Sequence, residues 1–148
     1  MRKISTLLLT MSIFLLAFTC ERIPTFPIGE SFEMKIGERR SNETVKALLW
    51  LDEVTEDSRC PKNTNCVWAG QVKMKFRLIS EDKSENSFEL NLSKDKPAEA
   101  MKAINGYTYT MTAVNPYPEA GSKIKKEEYV VTLEVVEGEV VDAGTDEQ

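Results

Sequence analysis

The sequence contains no histidine. Imidazole is therefore missing from every role it usually fills: the general base of a catalytic triad, the proton shuttle near neutral pH, the metal ligand. Cysteine is nearly as scarce, with three in 148 residues. Three thiols are too few for a four-thiolate zinc site and odd for a set of disulfides. Basic residues fall short of acidic ones, 19 against 24, for a formal net charge of −5. Nucleic acid is not an expected partner, because phosphate recognition wants a basic patch. There is no Gly-rich phosphate loop, no G-x-S-x-G elbow, no calcium-loop spacing and no internal repeat. No metal or cofactor is expected. What remains, at 41% hydrophobic and 29% charged residues, is the composition of a folded domain. The length suits one domain with a real core.

The first residues read as an address. Arg2 and Lys3 precede an uncharged, mostly apolar run from Ile4 to Phe18, and polar Glu21 and Arg22 follow. This run is shorter than the ~20 residues of a membrane span and fits an export signal over residues 1–19. Leu16-Ala17-Phe18-Thr19-Cys20 resembles a bacterial lipobox, with Leu16 one place early relative to the usual pattern. That resemblance implies that Cys20 becomes the first mature residue and carries acyl chains, which anchor stably when two or more are buried. Losing Arg2 and Lys3 from the 19 basic residues leaves 17 against 24 acidic. Such a domain is not drawn to anionic lipid, so the lipid is the expected membrane contact. Residues 20–29, with Pro24 and Pro27, read as anchor and extended spacer. The expected location is the bacterial cell envelope.

Export places Cys60 and Cys66 in an oxidising compartment, where neighbouring cysteines bond. Pro61, Asn63 and Asn65 between them are turn formers. A redox pair would prefer two intervening residues, a zinc site needs more ligands, and a nucleophile needs a base. A structural disulfide is the expectation.

From residue 30 to 138 the pattern is that of strands. Phe32, Met34 and Ile36 alternate with Glu33 and Lys35; Val45 to Val54 is more continuously apolar; Val72, Met74, Phe76 and Leu78 alternate with Lys73, Lys75 and Arg77. Phe88, Leu90 and Leu92 follow, then Tyr107 to Val114 with Tyr107, Tyr109, Met111 and Ala113 on one face, then Tyr129 to Val135. Period-two alternation of this kind marks half-buried strands. The expected fold is all-β: an antiparallel β-sandwich, immunoglobulin-like or a small barrel, of six to seven strands. One short helix is expected over Pro97 to Asn105, capped by Asp95 and stopped by Gly106. Residues 139–148 read as an acidic tail.

Asp57-Ser58-Arg59-Cys60-Pro61, followed by Cys66-Val67-Trp68-Ala69-Gly70, resembles the DSRCP…CxWAG element of a family of small bacterial lipoproteins and secreted domains. Pro116-Tyr117-Pro118 matches a proline–aromatic–proline element of the same family. The resemblance implies a domain and a compartment and supplies no catalytic residue. Physically, Asp57, Arg59, Trp68, Gly70, Pro116 and Tyr117 form a candidate corner. Asp57 and Ser58 suit a turn, Arg59 reaches Asp57 or carbonyls, Trp68 offers an apolar face to cover the disulfide, and Gly70 permits a close approach. The competing reading is a loop that presents Arg59 and Trp68 to a partner.

Asp52, Glu53, Glu56 and Asp57 cluster around the end of the second predicted strand, and read first as a solvated loop. The expected function is a lipid-anchored, non-enzymatic binding or structural module with a protein or glycan partner. Two alternatives stand beside it: a protease-inhibitor-like domain wedging the Cys60–Cys66 and Asn115–Gly121 loops, and a hydrolase working through paired carboxylates.

Overall fold

The computed structural model describes residues 22–138. Cys20, the signal segment and the 139–148 tail lie outside the described residues. Eight strands form two antiparallel sheets: β1 (Ser31–Lys35), β2 (Arg39–Asn42), β3 (Ala47–Asp57), β4 (Gln71–Ser80), β5 (Glu85–Ser93), β6 (Met101–Ile104), β7 (Tyr107–Asn115) and β8 (Val130–Glu137). One sheet runs β1-β8-β7-β6 and the other β2-β3-β4-β5. The expected all-β sandwich is the architecture found, as two separate four-stranded sheets rather than a closed barrel, with eight strands among the described residues where six to seven were expected, because Arg39–Asn42 and Met101–Ile104 are short strands without a period-two apolar face.

The alternating residues pack as their period demands. Met34, Leu49, Leu51, Val72, Met74, Phe76, Leu78, Leu90, Leu133 and Val135 are fully buried between the sheets. The outer face of β3 explains the continuous apolar run there. Trp50 points outward and is sandwiched by the guanidinium groups of Arg77 and Arg39, 4.7 and 5.8 Å from its ring, a cation–π shelter for an otherwise wet indole. Arg77 is held in that position by two hydrogen bonds from Nε and Nη2 to Asp52.

Three features differ from expectation. The helix over Pro97–Asn105 is absent. In its place a single 3-10 turn, Pro97–Ala100, runs into β6, which pairs with β7 from Met101↔Thr110 to Ile104↔Tyr107. The turn between them has Asn105 at φ 54° and Gly106 at φ 79°. Two successive positive φ values are the signature of the tight hairpin turn that Asn-Gly favours, so Gly106 closes a hairpin and does not stop a helix. In β7 a bulge between Met111 and Ala113 shifts the phase, burying Val114 instead of Ala113. Residues 24–29, expected as a spacer, lie against the sandwich. Thr25 bridges Ser41, the Phe26 amide donates to the Ser41 carbonyl at 3.0 Å, and the Phe26 ring, 2% exposed, stacks on Phe32 at 5.5 Å.

This packing gives a direct expectation. Phe26→Ala lowers stability by about 3–5 kcal/mol, the cost of emptying a buried aromatic site. Urea denaturation checks it, and an unchanged midpoint would mean that residues 24–29 are a tether after all.

Candidate functional site

The site begins with two bulges in β3. Register with β4 runs Leu51↔Phe76, then Val54↔Met74, then Asp57↔Val72, with one extra residue inserted at each step. Because Phe76, Met74 and Val72 all face the core, the bulges turn Val54 inward in place of Glu53. They then turn Asp57 inward while Glu56 faces out. An acid thus arrives at one end of the sandwich, with its side chain only 10% exposed.

Arg59 meets it there. Its Nε and Nη2 donate to the two Asp57 carboxylate oxygens at 2.8 and 2.6 Å, a bidentate fork. Nη1 donates to the Val114 carbonyl at 2.6 Å and Nη2 to the Pro116 carbonyl at 3.1 Å. The guanidinium also lies 5.1 Å from the Tyr117 ring centre. The side chain is 7% exposed, so a charge taken out of water is compensated by acceptors from β3, β7 and the loop after β7 together. The Tyr129 hydroxyl donates to the remaining face of Asp57 at 3.0 Å. Burial pushes the Asp57 carboxyl up, but the hydrogen bonds and charge of Arg59, with the Tyr129 bond, outweigh it and hold it below the ordinary value. Tyr129 is pushed up to about 12, by burial and by donating to that carboxylate.

Around this knot the loop from Arg59 to Gly70 is tied at its base. Ser58 and Cys60 amides donate to the Gln71 and Ala69 carbonyls at 2.8 and 3.0 Å. Gly70 has φ 72°, and a Cβ there would overlap the Ser58 carbonyl, so only glycine admits this approach. Cys60 and Cys66 are disulfide-bonded, with Cα atoms 6.0 Å apart; closing so short a ring contributes about 2 kcal/mol. The other loop, after β7, lies alongside. The Lys62 amide donates to the Pro118 carbonyl at 2.9 Å, and Lys62 Nζ lies 3.6 Å from Glu119. The Asn115–Pro116 peptide is cis.

The expected corner therefore divides. Asp57, Arg59, Gly70, Pro116 and Tyr117 come together as one structural unit. Arg59 is not presented to solvent. Trp68 is: it is 70% exposed and does not cover the disulfide, and its neighbour Val67 is 95% exposed. Sequence reasoning missed Val67 and Tyr129. For Val67 the available signal was a pair of adjacent apolar residues inside a polar loop. Tyr129 carried no such signal, because its place in the alternation is that of an ordinary core residue.

A polar ladder runs from the end of β3 across β4 and β5 to the 3-10 turn, and its Gln71 and Lys96 share a cleft with Trp68. Gln71 donates from Nε2 to Glu56 at 3.0 Å, and its Oε1 accepts from Asn91 Nδ2 at 2.9 Å. Asn91 also donates to Glu99, which Lys96 bonds at 2.9 Å. Glu56 is lowered to about 2, first by the Gln71 amide and then by Lys73 and Ser58. That cleft, of about 290 Å³, is bordered by Trp68, Ser58, Gly70 and Ser93. It adjoins a more apolar cleft of about 430 Å³ between Ala69, Leu92, Val114 and Tyr117.

Three acids of β3 are each answered by a cation: Asp52 by Arg77 at 2.7 Å, Glu56 by Lys73 at 3.0 Å, Asp57 by Arg59 at 2.6 Å. Among the described residues, no group of three Cys, Asp or Glu is placed to hold a metal ion. No protein-family model, curated protein or solved structure matches this chain.

Removing one partner of a buried ion pair leaves the other charge stranded, at a cost of about 3–5 kcal/mol. Arg59→Ala is expected to lose that much at pH 7 in urea denaturation. Since folding lowers the Asp57 pKa, the stability it contributes is fully present above the unfolded carboxyl value of about 4. It is lost as pH falls through the lower folded value. The stability-versus-pH curve of Asp57→Asn should be flatter than that of the wild type in this acid range, and coincident curves would contradict the assignment.

Proposed function

We propose that this protein is a non-enzymatic binding module of the bacterial envelope, held to a membrane by lipid on Cys20 and engaging its partner through the loop end of the sandwich. The observation that carries this reading is the Val67–Trp68 pair. Exposing a large apolar surface costs free energy, and here it is exposed on a loop whose base is fixed by a disulfide, a buried ion pair and a glycine-only approach. A rigid aromatic presented this way loses little entropy on binding, which is what interface anchors require. The resemblance to the DSRCP…CxWAG lipoproteins supports the same compartment.

The position of Ile23, three residues after Cys20, supports the direction of engagement. Ile23 lies beside Ser41, Leu48 and Ile79, at the β2–β3 turn end of the sandwich. Asp57 and the loop after it stand at the other end of β3, about 30 Å away at ~3.3 Å per residue. A lipid on Cys20, close in sequence to Ile23, would set the first end against the bilayer and send Trp68 outward. Trp68 is then a partner anchor and not a membrane wedge.

A second reading has one specific observation in its favour. A protease-inhibitor-like domain needs the Cys60–Cys66 and Asn115–Gly121 loops at the same end, and the Lys62–Pro118 hydrogen bond sets them side by side. A hydrolase running on carboxylates is disfavoured. It needs two carboxylates facing each other across a cleft, whereas Asp52, Glu56 and Asp57 of the acidic cluster are each paired with a cation instead.

Two experiments test the proposal. Cys20→Ser should abolish labelling by a radioactive fatty acid, and persistent labelling would refute the anchor. A photo-crosslinking amino acid in place of Val67 should give discrete adducts in cells, while the same group in place of Glu81, at the opposite end, gives none of them. Identical adduct patterns from both positions would remove the loop end as the binding surface, and inhibition of a panel protease by the purified domain would favour the second reading.

A further inference from the structure

The cleft beside Trp68 has the chemistry of a sugar subsite. We infer that it binds a neutral, ring-bearing saccharide, with the Trp68 indole stacked on the apolar face of one pyranose. This inference rests on the binding-module reading above and deepens it by naming the ligand class.

Three features of the cleft converge. The first is its lining: one exposed indole beside Ser58, Gln71, Ser93, Asp95 and Lys96. A sugar ring has a C–H face and a rim of hydroxyls. It needs an apolar platform with hydrogen-bonding groups along one edge, whereas a purely apolar ligand would strand those polar groups against it. The second is preorganisation. Gln71 and Lys96, which line the cleft, are held before any ligand arrives by a ladder of bonds through Glu56, Asn91 and Glu99. Ser93 Oγ accepts from the Asp95 amide at 3.3 Å, leaving its hydroxyl proton free to donate. The third is charge. The cleft lining carries one acid and one base, Asp95 and Lys96, so it holds no net charge that would favour an anionic ligand over a neutral one. The neighbouring cleft of about 430 Å³ extends the surface past Gly70 and Ser93, room for another ring of an oligomer.

The other strong candidates carry less. The apolar cleft alone shows nothing that names its occupant, and the edge strand β5 carries Glu85 and Glu89, charges that blunt strand addition.

The test is titration calorimetry of the purified full chain with three tetrasaccharides: N-acetylchitotetraose and cellotetraose, both neutral, and anionic tetragalacturonic acid. The expected result is a dissociation constant at or below about 1 mM for at least one neutral probe and at least tenfold weaker binding of the anionic one. Trp68→Ala should weaken the neutral probe by tenfold or more and Asp95→Asn severalfold, while Trp68→Phe retains most of the affinity. Trp68 is exposed, so the variants should melt with the wild type and the comparison stays clean. Absence of heat with both neutral probes up to about 10 mM overturns the inference, as does Trp68→Ala binding like the wild type. If that happens while the Val67 crosslinker captures a discrete protein, the saccharide is refuted and the binding module stands. If both fail, the module reading falls too.

Discussion

A buried guanidinium needs an acceptor for nearly every N–H it carries, and few places in a small β-domain can supply them. Arg59 finds two carboxylate oxygens on β3, one carbonyl at the end of β7 and one in the loop beyond. These acceptors come from three different stretches of chain. A side chain of this kind acts as a gauge: its hydrogen bonds form only when the end of β3, the end of β7 and the following loop stand in one arrangement. The aromatic partners follow from it. Tyr117 stacks on the cation and Tyr129 caps the carboxylate, so both are positioned by charge as much as by apolar burial. The net stabilisation from such a pair is modest, because desolvation offsets most of the attraction. What it contributes is specificity of geometry, at the end of the fold where two loops must be held together.

That geometry gives the exposed residues their meaning. An indole in solvent on a wandering loop would need no explanation. Trp68 is instead two residues from Gly70, whose backbone is locked against Ser58, and two from Cys66, which is tied to Cys60. The polar ladder whose Gln71 and Lys96 share its cleft is equally fixed, and Glu56 is drawn far below its ordinary pKa by the amide and ammonium groups that hold it. Rigidity at the loop end and the proposed attachment at the opposite end are complementary: a lipid tether there would make the whole sandwich a spacer roughly as long as β3.

Most of the sandwich is legible in the sequence, because one buried face and one wet face leave a period of two, as in Val72-Lys73-Met74-Lys75-Phe76. Where the period fails, the reading fails for identifiable reasons. Arg39–Asn42 is a polar edge strand with no buried face to betray it. Met101–Ile104 sits behind alanines that favour a helix, and local propensity lost to the Asn105-Gly106 turn and to pairing with β7. Bulges are invisible to periodicity by construction, so Val114 and Val54 change faces without warning. In the corner, the Asp57–Arg59 pairing follows from spacing and chemistry. Its burial does not, because nothing local to that pentapeptide announces acceptors 55 and 57 residues downstream. The exposure of Trp68 is equally non-local: a tryptophan next to a disulfide is expected to cover it.

If Arg59 holds both loops at once, amide hydrogen exchange will register its loss at both. Arg59→Met keeps the side chain's volume and removes its charge and donors. In that variant two amides should lose protection together: Cys60, which donates to Ala69, and Lys62, which donates across to Pro118. Amides deep in β4 should keep their protection. A Lys62 amide as protected as in the wild type would mean that the loops stay together without the guanidinium, contradicting its role as the gauge of this end of the fold.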